Sequence, residues 1–81
     1  MKYVYLLHCK GDGTFYVGST HDVMTRYREH ENGVHPETKD RRPVDLVYYE
    51  AYIREDRADS RLAELEAHGQ HYHDLLARLG Y

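Results

Sequence analysis

Hydrophobic and polar positions along the chain first indicate three extended segments. The stretch KYVYLLHC (residues 2–9) is rich in β-branched and aromatic residues, KGDGT supplies a glycine-rich turn, and FYVG (residues 15–18) resumes the extended pattern. This order predicts an antiparallel hairpin. VDLVYYEAY (Val44–Tyr52) predicts a third strand, and the polar, breaker-rich residues 34–43 before it are expected to form a loop.

Apolar positions at helical spacing predict a first helix in STHDVMTRYREHENG, after the hairpin. Ser19 or Thr20 is the expected N-cap, and Gly33 is placed to end the helix. Val23, Tyr27 and His30 then fall along one stripe of the helix.

Two more helices are predicted after the third strand. In EDRADSRLAELEAHG, Ala58, Leu62 and Leu65 recur at i, i+4 and i+7, and Gly69 is the expected stop. QHYHDLLARLGY predicts a short terminal helix. The order ββαβαα predicts one α+β domain over residues 1–81, in which helices cover one face of a three-stranded antiparallel sheet.

Composition narrows the class of protein. The single cysteine, Cys9, excludes an intrachain disulfide and a paired-cysteine zinc site; a reducing cytoplasm is the natural setting, with Cys9 as a small core residue. The apolar run YVYLL is too short for a signal peptide or a membrane span, so a soluble protein without membrane contact is expected. The formal charge of -3 argues against strong non-specific DNA binding, although basic residues cluster around Arg41.

Three short motifs occur in a fixed order. Tyr5 lies in VYL on the first strand, YVG (residues 16–18) lies on its hairpin partner, and Arg26 and His30 lie on the following helix. This order resembles the GIY-YIG endonuclease family, especially its small stand-alone bacterial members, and the similarity runs from about Lys2 to Gly69. The resemblance implies a phosphodiesterase that acts on DNA, uses Mg²⁺ or Mn²⁺, and has water as nucleophile.

The resemblance also implies a role for each motif residue. Tyr5 and Tyr16 border the scissile phosphate, and one of them positions or deprotonates the attacking water. Arg26 neutralises charge on the phosphoryl oxygens, and His30, one helical turn on, acts as an acid, a base or an orienting partner. The predicted substrate-binding residues are Gly18, Ser19, Lys39 and Arg41. Outside this pattern, a helix arginine is usually solvated and a strand tyrosine usually packs.

One position departs from the family pattern. The family's metal ligand is a glutamate in A-x-x-R-E, followed four residues later by lysine. In ADSRLAELE, Ala58 and Arg61 match, but the glutamate position is Leu62 and the lysine position is Glu66. Leucine offers no oxygen to a hard cation, so hydrolysis is expected to be impaired. Either Glu66, one turn from Leu62, binds a displaced ion, or the alignment is shifted by one or two residues.

Two classes of function follow. The first is a metal-dependent DNA endonuclease, impaired by loss of the metal ligand. The second is a catalytically inactive scaffold of the same fold, divergent or engineered, that serves as a binding or self-associating module. Core packing of Leu62 and the acidic balance favour the second class.

Two other features allow further interpretations. HGQHYH contains His68, His71 and His73, which together with Glu64 could hold zinc or nickel; the plainer interpretation is a solvated helix end. The last helix carries the leucines Leu75, Leu76 and Leu79. They either seal the core or form a homodimer interface through the C-terminal helices.

Overall fold

The computed structural model describes residues 1–81 as a three-stranded antiparallel sheet with four helices. The strands lie in the order β2-β1-β3, with the first strand in the centre. This architecture confirms the predicted α+β class and the bounds of the third strand. The elements are β1 (Lys2–Cys9), β2 (Thr14–Thr20), α1 (Val23–Glu31), α2 (Pro36–Lys39), β3 (Val44–Tyr52), α3 (Glu55–Glu66) and α4 (Gln70–Leu79).

The central strand β1 is buried on both of its faces. Val4 and Leu6 pack with residues of α3 and α4, whereas Tyr5, Leu7 and Cys9 form a second cluster on the opposite face. The prediction that helices cover one face of the sheet is therefore wrong. A central strand with consecutive apolar residues exposes both sides to water unless helices pack on each, and α1 supplies the second cover.

The first helix begins later than predicted. Ser19 and Thr20 belong to β2, where they pair with Val4 and Tyr3 of β1. Asp22 is the N-cap instead, and its carboxylate accepts a hydrogen bond from the Thr25 backbone N–H at 3.1 Å. The expected stripe is confirmed: Val23 and His30 are buried, and Tyr27 packs against the Tyr5 cluster.

Two other boundaries also differ from the predictions. The expected loop 34–43 contains the short helix α2, with Pro36 in its first turn, where a missing N–H costs nothing. Helix α3 ends at Glu66 rather than Gly69, because His68 takes a left-handed φ of 54° and Gly69 already caps α4.

Helices α3 and α4 cover the face of the sheet that carries Val4 and Leu6. The predicted stripe of α3 is confirmed, since Ala58 and Leu65 are buried and Leu62 packs beside them. The leucines of α4 join the same cluster, and none of them is exposed. They are Leu75, Leu76 and Leu79. The longest helix has 12 residues, and no helix is long and apolar enough to cross a membrane.

A carboxylate on β3 links the sheet to α3. Glu50 accepts hydrogen bonds from the hydroxyls of Tyr48 and Tyr52, and from Arg61 Nε at 2.7 Å. Burial alone would raise the pKa of Glu50, but these three donors outweigh it and lower that pKa. Arg61, which the family motif specifies, therefore serves here as the partner of a half-buried carboxylate.

We predict that Glu50→Gln lowers the free energy of unfolding by about 1–3 kcal/mol at pH 7, because three donors lose a charged acceptor. The folded-state pKa is depressed, so this stabilisation is present above the unfolded pKa and is lost as the pH falls through the folded value. Urea unfolding at pH 7 and under acidic conditions should show the difference between variant and native protein shrinking in acid.

Glu64→Gln is the matched control for this prediction. Glu64 also contacts Arg61, at 3.5 Å, but it is exposed. We expect its loss to change the free energy of unfolding by less than about 0.5 kcal/mol. Equal effects of the two substitutions would show that the Glu50 network does not stabilise the junction.

Candidate functional site

A buried chain of polar side chains lies beneath the sheet face that α1 covers. The hydroxyl of Tyr5 lies 2.9 Å from His30 Nε2, and His30 Nδ1 lies 2.6 Å from Thr38 Oγ1. All three residues are almost fully buried. Tyr5 of β1 and Thr38 of α2 thus hold the imidazole ring of His30, on α1, at both of its nitrogens.

The buried His30 is neutral at physiological pH. Burial lowers its pKa from 6.5 to about 4, and the charges of His35 and Arg26 act in the same direction. A neutral imidazole donates from one nitrogen and accepts at the other. The two hydrogen bonds of His30 therefore point the same way along this group. The Tyr5 hydroxyl either donates a hydrogen bond to His30 Nε2 or accepts one from it.

Tyr16 and Arg26 lie beside this chain. The Tyr16 ring centroid is 5.2 Å from that of His30 and 6.3 Å from that of Tyr5. Burial raises the pKa of Tyr5 to about 12, the neighbouring Tyr16 adds to this, and the positive charge of Arg26 opposes it. The structure thus brings together the four residues expected to be catalytic, and both phenols are protonated at pH 7.

Gly18 lies against the ring of Tyr5, its partner across the β1–β2 pair. A Cβ atom on Gly18 would come within 2.5 Å of Tyr5 Cζ. The sequence predicts Gly18 as a substrate-binding residue, whereas its immediate neighbour here is the phenol of Tyr5. Glycine at this position gives the Tyr5 ring room to lie flat against β2 and reach His30.

The other expected substrate-binding residues do not join this group. Ser19 alternates with Gly18 along β2 and therefore points to the opposite face of the sheet. Arg41 donates hydrogen bonds to Thr14 Oγ1, to Asp12 and to the backbone oxygens of Phe15 and Glu37, which tie α2 to the hairpin. Lys39 is exposed at the end of α2, where its carbonyl accepts a hydrogen bond from Arg42.

The position of the expected metal ligand lies outside this polar group. Leu62 packs against the apolar cluster of Val4, Leu6 and Val17, on the face opposite to Tyr5. No three His, Cys, Asp or Glu side chains converge as a metal-binding group among residues 1–81. The residues present therefore do not fit a hard divalent cation at the position where the family pattern puts one.

Two acidic residues influence the polar group from its rim. Burial raises the pKa of Tyr16, and among the charges Glu37 contributes most, with Glu66 adding to it and Arg26 opposing it. Glu66 is thus the α3 carboxylate whose charge reaches Tyr16. Glu37 lies on the exposed side of α2.

Sequence reasoning missed Thr38 and Glu37 because it treated residues 34–43 as a loop. The available signal was Pro36, which favours the first turn of a helix and would have put Glu37 and Thr38 on one short turn. That Thr38 hydrogen-bonds His30 depends on tertiary contact and has no local signature.

The histidine-rich segment does not form the second metal site considered above. His68 stacks on Tyr72 with ring centroids 4.2 Å apart, His73 meets the same ring at its edge, and His71 lies 3.8 Å from Glu64. The left-handed turn at His68 separates these side chains, and no group of three donors results.

Comparison with known proteins places the chain among small bacterial and archaeal relatives. A family model described as the GIY-YIG catalytic domain matches residues 1–73. A UPF0213 protein of Staphylococcus epidermidis is 40% identical over 67 residues, which are 82% of this chain and 80% of the relative. A UPF0213 protein of Haloquadratum walsbyi is 37% identical over 79 residues, which are 96% of this chain and 88% of the relative.

A solved structure agrees with the same relationship. The solution NMR structure of a UPF0213 protein from Bacillus halodurans is similar with a TM-score of 0.60 and 33% identity. The similarity covers 99% of this chain and 86% of that one. The three-stranded antiparallel sheet with its helices is therefore common to both.

We predict that the free energy of unfolding decreases as the pH falls from about 6.5 to about 4, because the unfolded chain binds a proton at His30 that the folded chain excludes. Below that range the folded state also binds the proton, and this contribution becomes constant. His30→Gln should flatten this part of the stability profile measured by urea unfolding.

His73→Gln, on the exposed side of α4, is the control and should leave the slope unchanged. NMR titration of the His30 ring provides an independent readout. A midpoint near the ordinary value of 6.5 would contradict the buried, neutral imidazole.

Proposed function

We propose that this chain, which belongs to the GIY-YIG family, is a DNA endonuclease-type domain that binds a phosphodiester beside Tyr5, Tyr16 and Arg26. Its hydrolytic step is impaired, because Leu62 occupies the position of the metal ligand. Family membership supports a nuclease-type function. The observation that carries the proposal is the Tyr5–His30–Thr38 chain beside Arg26, combined with the apolar packing of Leu62.

Arg26 is the residue we assign to the phosphoryl oxygens. Its side chain is 35% exposed and its only carboxylate contact is Glu29, at 3.4 Å. A guanidinium with free donors matches two oxygens of a phosphate and stabilises the negative charge that accumulates there during hydrolysis. The exposed part of Arg26 is thus available to substrate.

Tyr5, His30 and Tyr16 are the residues we assign to positioning the attacking water. With Nδ1–H of His30 donating to Thr38, the buried Tyr5 hydroxyl donates to Nε2. The lowered pKa of His30 keeps the imidazole neutral, so Nε2 remains an acceptor for that hydrogen bond. Tyr16 is only partly buried and borders the phosphate, and its hydroxyl accepts a hydrogen bond from the incoming water.

Members of this family generally depend on a divalent cation, Mg²⁺ or Mn²⁺. Leu62 supplies no ligand for it, and the remaining candidate on the same helix is Glu66, whose charge reaches Tyr16. Magnesium retains several waters and binds proteins through one or two carboxylates, so one glutamate is the minimum for such a site. We therefore propose that Glu66, one helical turn from Leu62, binds the metal ion in any cleavage that the native protein performs.

A second function is favoured by the packing of Leu62 in the apolar cluster. In this alternative the chain is a binding module that holds DNA without cleaving it. It keeps the phosphate contact at Arg26 and needs no metal. Binding without cleavage, lost on Arg26→Ala, would distinguish it from the nuclease.

We predict that Leu62→Glu creates or increases magnesium-dependent cleavage of supercoiled and branched DNA, because it restores an oxygen ligand at the family position. Cleavage should be lost when Arg26→Ala is added. The substitution also puts a charge beside an apolar cluster and is expected to cost about 1–3 kcal/mol of stability, so circular dichroism must show that the variant is folded.

Leu62→Gln is the matched control, polar and of the same size but without a charge, and it should not cleave. If the native protein cleaves and Glu66→Gln abolishes this, the metal lies at Glu66 and the impairment is smaller than proposed. If neither the native protein nor folded Leu62→Glu cleaves, the endonuclease proposal fails and the binding module stands.

A further inference from the structure

One cavity lies outside the polar group described above, at the end of the sheet where α1 begins. It has a volume of about 350 Å³ and is lined by Tyr3, His21, Asp22, Val23, Met24 and Tyr49. The rings of Tyr3 and Tyr49 form two of its walls, with centroids 6.0 Å apart and planes at 69°. Tyr49 is 54% exposed and Met24 is 51% exposed, so the cavity is open to solvent.

The two tyrosines of this cavity keep their hydroxyls free. Tyr5, Tyr27, Tyr48 and Tyr52 all use the hydroxyl in a hydrogen bond within the protein. Neither Tyr3 nor Tyr49 does so. Their rings provide stacking surface and their hydroxyls provide donors and acceptors that nothing in the chain engages.

The cavity adjoins the proposed phosphodiester site. Tyr3 and Tyr5 point to the same side of β1 two residues apart, a separation of roughly 7 Å. Tyr49 pairs with Tyr5 across the β1–β3 ladder, and Val23 lies one turn before Arg26 on α1. The cavity therefore lies on the same face of the sheet as Tyr5, beside the first turn of the helix that carries Arg26.

The charges around the cavity disfavour an anionic occupant. Asp22 is a carboxylate, both of whose oxygens already accept hydrogen bonds from Thr25, and His21 is paired with Glu55. No lysine or arginine lines the cavity, so it offers nothing to a phosphate. A neutral, planar ring with polar edges fits two aromatic walls and two free hydroxyls better than an anion does.

We propose that this cavity binds an unpaired nucleobase adjacent to the phosphodiester held at Arg26. The inference rests on the proposed function, and it specifies the substrate: DNA with a base out of its stack, as at a bulge, a flap or a gap. A paired base cannot enter, because its face is covered by its neighbours in the duplex.

The test is binding, in a chelating buffer that prevents cleavage, to a duplex with one unpaired 2-aminopurine and to the same duplex fully paired. Tyr49→Ala should weaken binding to the unpaired-base duplex roughly 5- to 150-fold, the loss expected for one stacked base. Binding to the paired duplex should change by less than about 2-fold, since no base stacks there.

Two matched variants accompany this experiment. Tyr49→Phe keeps the ring and should retain most of the affinity. Tyr81→Ala removes a tyrosine that is also 54% exposed but packs against Phe15, and it should bind like the native protein. Equal losses on both duplexes, or no loss for Tyr49→Ala, overturn the proposal.

The two proposals fail separately. If Arg26→Ala binds normally while Tyr49→Ala does not, the phosphodiester site is misassigned and the base site stands. If the native protein binds neither duplex, NMR with deoxyadenosine and deoxycytidine decides. Shifts of the Tyr3 and Tyr49 ring signals, without shifts at Tyr81, support the base site; no shift, or a shift only with tetramethylammonium, overturns it.

Discussion

Burial of β1 on both faces is the constraint on which the rest of the structure depends. Its apolar side chains point alternately to two clusters, and each cluster requires its own helical cover. The cover on one side is α3 with α4, and on the other it is α1. A domain of 81 residues buries little apolar surface, so both clusters are needed to hold the sheet.

The same constraint positions the candidate site. Because Tyr5 belongs to the buried strand, its hydroxyl can be satisfied only by a polar group brought in by the covering helix, and His30 is that group. His30 in turn requires a partner for its second nitrogen, which Thr38 supplies from α2. Stability and proposed chemistry therefore share one set of hydrogen bonds, and a substitution in this chain affects both.

Leu62 and the residues proposed to bind the phosphodiester lie on different faces of the sheet. The proposed phosphodiester residues lie with α1 on one side, whereas Leu62 belongs to the apolar stripe of α3 on the other side. Leucine is a better core residue there than glutamate, and Arg61 has a structural partner in Glu50. The α3 side can thus gain packing while the α1 side keeps its polar chain.

The sequence alone determined the strands, the apolar stripes of α1 and α3, and the family motifs, because each depends on local periodicity or short spacing. Val44–Tyr52 and the stripe of Ala58, Leu62 and Leu65 needed no tertiary information. Only the tertiary structure decided that Thr38 reaches His30 and that Arg41 is occupied by the hairpin. Those contacts join residues far apart in sequence or lie in a segment without periodicity, so no local pattern encodes them.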